Sequence, residues 1–185
     1  MQHPKLKLNS LDQLTKLLLK KIKSNQSNRL MVCIAGAPGS GKSYISSYLL
    51  KKINFIRQQS EIFEMDGFHY DDVILKKKKL IKRKGSQQTF DVMGLKSFLQ
   101  RLKTNNEVQV TVPIFDRKLE LSRGSAKIIK NTIPLIITEG NYLLLKQKPW
   151  SELQSYFDLT IMIKSSQKNL SKRLTERWKS FNYSK

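Results

Sequence analysis

Apolar residues follow two spacings along the chain, and each spacing predicts one kind of strand. Residues 30–35 and 134–138 are almost continuously apolar, which is typical of strands buried on both faces of a parallel sheet. Residues 108–115 instead alternate apolar and polar side chains, as a strand with one buried face does. The remaining predicted strands are 61–65, a short extra strand at the sheet edge over 126–133, and 158–164.

Helical spacing recurs between these strands. The first helix is predicted to begin at Leu11, after a capping box formed by Ser10 and Gln13. Its Leu14 and Leu18 share one face, so the helix is amphipathic and expected to dock on the rest of the protein. Further helices are predicted over 44–53, 92–99, 150–156 and 165–181. Together with the apolar strands they indicate an α/β fold.

Length and composition limit the size and setting of this fold. The 185 residues, 39% of them hydrophobic, are sufficient for a single domain over 1–185, in which 1–29 form a tail, the first helix and a polar connector. The single cysteine, Cys33, lies in an apolar strand, so it is expected to be a buried residue in a reducing compartment. No apolar run is long enough for a membrane span, and a cytoplasmic location is expected.

The net charge of +21 and the isoelectric point near 10.1 widen the choice of partner. A strong positive field attracts nucleic acid, anionic lipid and phosphorylated metabolites alike. Lysine is spread through every segment and no nucleic-acid-binding module is recognised, so nucleic acid is possible as a partner but not favoured. A membrane-surface role for the first helix is also less favoured than docking, because the helix has no interfacial Trp or Phe.

A glycine-rich turn between an apolar strand and a helix predicts a phosphate-binding loop. In such a loop, successive backbone N–H groups surround an anion, and glycine permits close approach of the backbone. Lys42 is expected to reach the β- and γ-phosphates of ATP, and the Ser43 hydroxyl to bind Mg²⁺. The predicted ATP-binding residues are Gly36, Ala37, Pro38, Gly39, Ser40, Gly41, Lys42, Ser43 and Tyr44.

Two acidic residues at predicted strand ends are the candidate catalytic and metal-binding groups. Ligands of open α/β sheets bind at the carboxyl ends of the strands. Asp66 follows the strand at 61–65 and is suited to accept a proton from a substrate hydroxyl; its structural alternative is a helix N-cap. Glu139 follows 134–138 and is expected to hold Mg²⁺ with Ser43, against the alternative of a carboxylate that faces solvent.

Polar and basic residues after these strands are candidate substrate contacts. They are His69, Tyr70, Arg83, Lys84, Arg117 and Asn141. The lysine run 76–79 that precedes two of them is more often a solvated face than a site. Arg173 and Arg177 share one helix face and are candidates to neutralise the transferring phosphoryl group, with a solvated basic helix as the alternative.

Five collinear motifs extend these expectations to a family. They are AGAPGSGKS (35–43), MDGFH (65–69), RKG and TFD (83–85 and 89–91), PIFDR (113–117) and TEGNYLL (138–144). With them the chain resembles the uridine kinase, pantothenate kinase and phosphoribulokinase group of phosphate-loop kinases, and within it the bacterial nucleoside/nucleotide kinase-like branch that includes fructose-transport-system kinases.

The resemblance implies ATP-dependent phosphorylation of a hydroxyl on a small metabolite, such as a nucleoside, a pantothenate-like compound or a sugar. Asp66 matches the catalytic aspartate of the group and Glu139 its strand-end acid. The implied fold is a three-layer α/β/α P-loop NTPase domain with a central, mostly parallel five-stranded sheet in the order 2-3-1-4-5. The sequence ends where relatives continue, so the resemblance implies an incomplete C-terminal lid.

Other function classes remain open alternatives to a kinase. They are a P-loop nucleotide-binding regulatory or nucleic-acid-associated protein, and an inactive relative of the kinases. An Asn-Lys-x-Asp guanine motif is absent from the sequence, which is evidence against a GTPase, and Thr138-Glu139 differs from the Asp-Glu pair of motor ATPases. The sequence identifies neither the acceptor nor the oligomeric state.

Overall fold

A computed structural model describes residues 10–25, 29–56 and 59–180, without the side chains of 177, 178 and 180. The α-helices are α1 (Leu11–Ser24), α2 (Lys42–Phe55), α3 (Asp72–Lys77), α4 (Val92–Thr104) and α5 (Gln167–Ser180). The strands are β1 (Leu30–Gly36), β2 (Ser60–Glu64), β3 (Gln109–Asp116), β4 (Leu121–Lys130), β5 (Leu135–Gly140) and β6 (Leu159–Ile163). Short 3₁₀ turns occupy Met65–Phe68, Ile81–Arg83, Gln87–Thr89 and Trp150–Tyr156.

A parallel sheet lies at the centre of the molecule, with its strands in the order β2-β5-β1-β6. All seven residues of β1 are buried, because this strand has a neighbour on each side and a covered layer on each face. Alternate residues of β1 point to opposite faces, since the side-chain period of a strand is two. Met31 and Cys33 pack in one hydrophobic cluster, and Val32 and Ile34 pack in the other.

The two clusters give the fold its three layers. On one face, α1 and α2 cover the sheet through residues such as Leu18 and Leu49. On the other face, α4 and the 3₁₀ turn at Trp150–Tyr156 pack around Leu95 and Leu99. The expected three-layer α/β fold is therefore confirmed, and α1 docks on the domain through its apolar face as its spacing predicts.

The strand count differs from the expectation. The described residues contain four parallel strands rather than five, and in chain order these lie as 2-3-1-4, which is the predicted order without its fifth strand. The extra strand expected over 126–133 is present over 126–130, but its expected place at the edge of the sheet is wrong. That segment belongs to β4, which pairs antiparallel with β3 from Gln109↔Lys130 to Asp116↔Leu121 as a separate hairpin. A short turn joins β3 to β4, so they satisfy each other's backbone hydrogen bonds instead of extending the sheet.

Cys33 is fully buried and forms no disulfide. Its burial raises the pKa of the thiol well above the usual range.

In the described part of the chain, none of the helices combines the length and the apolar content needed to cross a bilayer.

Candidate active site

The glycine-rich segment connects the end of β1 to the start of α2. Gly39 and Gly41 have φ angles of 76° and 95°, a region in which residues with side chains are strained, so the turn depends on glycine. The Lys42 ammonium lies back across this turn and donates hydrogen bonds to Gly36 O and Ala37 O, both over 3.0 Å. The loop thus folds around its own lysine at the carboxyl edge of the sheet.

The first turn of α2 offers the donors that a phosphate group needs. Its N-cap is Gly41, and no side chain caps the helix, so the first backbone N–H groups remain available to an anion. Ser40 Oγ is buried and has no hydrogen-bond partner among the described residues. A Cβ atom at Gly36 would lie only 2.7 Å from that oxygen, so the loop has no room for a side chain there. These features fit the phosphates of ATP.

Ser43 and Glu139 form the candidate magnesium site. Ser43 Oγ donates to Glu139 Oε1 over 3.0 Å, and Ser46 Oγ donates to Oε2 over 3.3 Å. Burial raises the pKa of Glu139, while the hydrogen bond from Ser43 acts in the opposite direction. Among the described residues no group of three or more His, Cys, Asp or Glu could hold a metal ion. One hydroxyl and one carboxylate nevertheless suit Mg²⁺, which usually keeps several waters and phosphate oxygens as ligands.

Asp66 lies in the 3₁₀ turn that follows β2. Arg117, the first residue of the turn between β3 and β4, donates from Nη2 to Asp66 Oδ2 over 2.9 Å. The backbone at Gly67 lies against β3 so closely that a Cβ atom there would be 2.5 Å from Pro113 O. This contact and the ion pair together hold the Asp66 carboxylate at the edge of the sheet.

His69 lies one turn further along the chain, between two aromatic rings. Its ring centroid is 4.0 Å from that of Phe90 and 4.7 Å from that of Phe115. The Nδ1 atom is 2.8 Å from the backbone oxygen of Asp66. Burial lowers the pKa of His69, although its interactions with Asp66 act in the opposite direction. The histidine therefore forms part of a mostly apolar wall, and its burial favours the neutral form of the ring.

Lys84 joins two segments on the same side of the site. Its ammonium contacts Asp72 Oδ1 over 2.7 Å and Glu120 O over 2.6 Å. Asp72 opens α3, and Glu120 lies in the turn between β3 and β4. The lysine thereby holds the turn of the hairpin beside α3.

These groups line one cleft of about 680 Å³ at the carboxyl ends of the parallel strands. The volume is within the range of small-molecule sites. Its lining includes Pro38, Gly39, Gly41, Lys42, Ser43, Tyr44, Asp66, His69, Lys84, Phe90, Phe115, Arg117, Glu120, Glu139, Asn141, Arg173 and Leu174. The phosphate loop, both predicted strand-end acids and four of the predicted substrate contacts are thus brought together.

Two of the predicted substrate contacts lie outside the cleft. Tyr70 and Arg83 are not among the described residues that line the cleft. The Tyr70 ring lies under the Lys78 ammonium at 5.5 Å, and Arg83 is exposed.

Arg173 donates from Nη1 to Gly39 O over 3.3 Å and so contacts the phosphate loop directly. The side chain of Arg177 is outside the described residues.

Glu64 is a residue that the sequence reasoning missed. It is the last residue of β2 and lies in register with Glu139 of β5. Burial raises its pKa, and the nearby Lys127 acts in the opposite direction. The sequence carried one signal, because Glu64 is an acidic residue at the end of an apolar segment and only two positions before Asp66. The aromatic residues Phe90 and Phe115 were also missed, since only the folded chain brings them to His69.

Comparisons with known proteins agree with this arrangement, although no protein-family model matches the chain. "Uncharacterized protein YggC" of Escherichia coli is 33% identical over 83% of this chain. "Putative uridine kinase C227.14" of Schizosaccharomyces pombe is 30% identical over 82% of it. The chain spans 63% and 66%, respectively, of the length of these two relatives.

A solved structure extends the likeness to nearly the whole fold. The crystal structure of a "putative fructose transport system kinase" from Silicibacter sp. TM1040 is 32% identical and superposes with a TM-score of 0.87, covering 95% of this chain and 84% of that one. Pantothenate kinases are also among the proteins similar to this chain. The chain therefore belongs to the phosphate-loop kinases of the uridine kinase and pantothenate kinase group.

Proposed function

We propose that this protein is an ATP-dependent kinase that transfers the γ-phosphoryl group to a hydroxyl of a small metabolite. The observation that carries the proposal is that Asp66 lines the same cleft as Lys42 and Ser43 of the phosphate loop. A carboxylate that is held beside a phosphate loop can position a hydroxyl and accept its proton. A protein that only binds nucleotide has no need of that carboxylate.

The chain's own residues have separate roles in this proposal. Bound Mg²⁺–ATP supplies the phosphoryl group. Lys42 and the first backbone N–H groups of α2 hold the phosphates, and Ser43 and Glu139 hold the metal ion. Arg173, already in contact with the loop at Gly39, neutralises charge on the phosphoryl group.

The transfer requires one proton to move. The acceptor oxygen forms its bond to the γ-phosphorus as the bond to the bridging oxygen of ADP breaks, and the hydroxyl proton passes to the Asp66 carboxylate. Arg117 occupies Oδ2 of that carboxylate, so the other oxygen is the one proposed to accept the proton. Arg117 therefore orients the base.

The side of the cleft around Asp66 and His69 is proposed to bind the acceptor, and its lining limits the kind of substrate. His69, Phe90 and Phe115 supply an apolar wall, while Lys84, Arg117 and Asn141 are the residues proposed to contact polar groups. A small polyol or nucleoside with an apolar portion suits such a lining. Uridine kinase-like proteins, pantothenate kinases and a structure named for fructose transport are similar to this chain, so nucleosides, pantothenate-like alcohols and sugars are the classes to test.

The test is a screen of these classes with the full chain, ATP and Mg²⁺, in which ADP release is measured with and without each acceptor. At least one acceptor is expected to raise ADP release. With that acceptor, Asp66→Asn should lower kcat by about 10²- to 10⁴-fold. Glu107→Gln is a matched control, since this carboxylate pairs with Arg101 away from the cleft. If no acceptor raises ADP release, or if Asp66→Asn behaves as Glu107→Gln does, the proposal is wrong.

A further inference from the structure

A second surface, independent of the proposed kinase site, is formed by α3 and the turn that follows it. It presents six exposed cations within eight positions of the chain. They are Lys76, Lys77, Lys78, Lys79, Lys82 and Arg83, and they are called the basic segment below. Within the part of the chain that the structure describes, the basic segment takes no part in any salt bridge.

The acidic residues nearest in sequence are already engaged. Asp71 Oδ1 accepts a hydrogen bond from Val73 N over 2.8 Å and caps α3. Asp72 pairs with Lys84 over 2.7 Å. Neither carboxylate is paired with the basic segment, so the positive charge of this surface is not compensated locally and attracts an external anion.

Apolar side chains are exposed on the same face as the lysines. Leu75 is the buried residue of α3, which defines the inner side of the helix. At about 100° per residue, Val73 and Lys77 lie opposite Leu75, and Ile74 and Lys76 lie on the two flanks of that outer side. Val73 is 59% exposed and Ile74 is 40% exposed. The face thus alternates aliphatic and cationic groups.

The turn of the β3–β4 hairpin continues this surface. Lys84 contacts both Asp72 and Glu120 O, so the turn lies beside the start of α3. Leu119 in that turn is 63% exposed, and Lys118 beside it is also exposed. A second aliphatic and cationic pair therefore adjoins the first.

We propose that the basic segment, with Val73 and Ile74, binds an anionic lipid surface. Lysine clusters are attracted to anionic headgroups, and adjacent aliphatic side chains enter the boundary between headgroup and acyl chain. Single-stranded nucleic acid is the less favoured polyanion, because single strands are held by stacking on exposed aromatic or arginine planes. Here five of six cations are lysines, and the nearby Tyr70 ring is already covered by Lys78.

Co-sedimentation of the full chain with vesicles tests this inference. Binding is expected to vesicles of phosphatidylcholine with about one third phosphatidylserine, and to weaken as salt is raised. Binding to pure phosphatidylcholine should be much weaker. Equal binding to both kinds of vesicle, or none to either, would overturn the proposal. Vesicle binding is measured without ATP or acceptor, so its failure leaves the proposed kinase activity untouched.

Matched variants locate the binding surface. Lys76→Gln/Lys77→Gln/Lys79→Gln should lower vesicle affinity by about 100-fold, at about fivefold for each cation. Lys16→Gln/Lys20→Gln/Lys23→Gln removes the same charge from exposed positions of α1 and should have only a small effect. An equal loss in both triple variants would show that net charge alone is responsible, and would overturn the assignment to α3.

A third variant separates the apolar contribution from the charge. Val73→Ser/Ile74→Ser keeps every lysine and should still weaken vesicle binding, after circular dichroism and thermal unfolding have shown that the fold is intact. Unchanged binding of this variant would contradict the role of the aliphatic face. Duplex and single-stranded DNA are tested in parallel at the same salt. DNA binding that depends on the basic segment, in the absence of vesicle binding, would favour nucleic acid over lipid.

Discussion

Ser43 Oγ donates a hydrogen bond to Glu139 Oε1 over 3.0 Å, although 96 positions separate these two residues in the chain. Ser43 lies in the first turn of α2 and Glu139 is the penultimate residue of β5, and β5 lies beside β1 in the sheet. The hydrogen bond therefore joins the phosphate loop to the neighbouring strand end. This is the pairing that the proposed magnesium site requires.

Replacing Glu139 tests that site. Glu139→Gln keeps the size of the side chain but removes the charge that attracts Mg²⁺. We expect the apparent Mg²⁺ affinity in the kinase assay to fall by about 10- to 100-fold, with partial recovery at high Mg²⁺ concentration. The measurement is a Mg²⁺ titration of ADP release. Glu107→Gln is the control, and an unchanged titration in Glu139→Gln would remove Glu139 from the metal site.

Arg117 is predicted to position Asp66. Its Nη2 atom is 2.9 Å from Asp66 Oδ2, so Arg117→Ala frees the carboxylate to rotate. We expect kcat to fall by about 10- to 100-fold, because a small error in the position of a reacting group slows the reaction by this order. Arg117→Lys should recover part of the loss, because it restores a cation. A rise in the KM for the acceptor with kcat unchanged would instead indicate that Arg117 only binds substrate.

Gly67 is predicted to be required for packing next to Asp66. A Cβ atom there would lie 2.5 Å from Pro113 O, which is backbone and cannot rotate away. Gly67→Ala should therefore destabilise the protein by about 1–3 kcal/mol, measured by urea unfolding. Gly124→Ala is the control, since nothing lies within 4 Å of its added Cβ. Similar stabilities for the two variants would contradict this packing argument.

The burial of His69 predicts a pH dependence of stability. Burial lowers its pKa in the folded state, whereas an unfolded histidine titrates near pH 6.5. Between these two pKa values the unfolded chain binds more protons than the folded chain. The contribution of His69 to stability is therefore fully present above about pH 6.5, and it is lost as the pH falls from the unfolded pKa through the folded pKa.

The measurement is the difference in Tm between the original protein and His69→Gln at several values from about pH 8 to pH 5. The original protein should lose stability relative to the variant as pH falls. Comparing the two proteins cancels the opposite trend expected from Glu64 and Glu139, whose pKa values are raised by burial. A constant difference across this range would show that His69 titrates alike in both states.

Much of the fold could be predicted because its signals are local. The continuous apolar runs of β1 and β5 indicate strands with both faces covered, and the glycine-rich turn fixes a phosphate loop between strand and helix. The separate β3–β4 hairpin could not be predicted in this way. A strand whose apolar and polar residues alternate can pair either with the central sheet or with the next strand in the chain. Only the backbone hydrogen bonds of the folded chain decide between these two pairings.

The sequence by itself determined the phosphate loop, the two strand-end acids at Asp66 and Glu139, and the apolar faces that make three layers, because each depends on residue type and spacing. Only the tertiary structure decided that Arg117 pairs with Asp66, that His69 lies between Phe90 and Phe115, and that Glu64 is the neighbour of Glu139. Contacts between distant segments depend on sheet order and register, and a linear pattern of side chains does not contain that information.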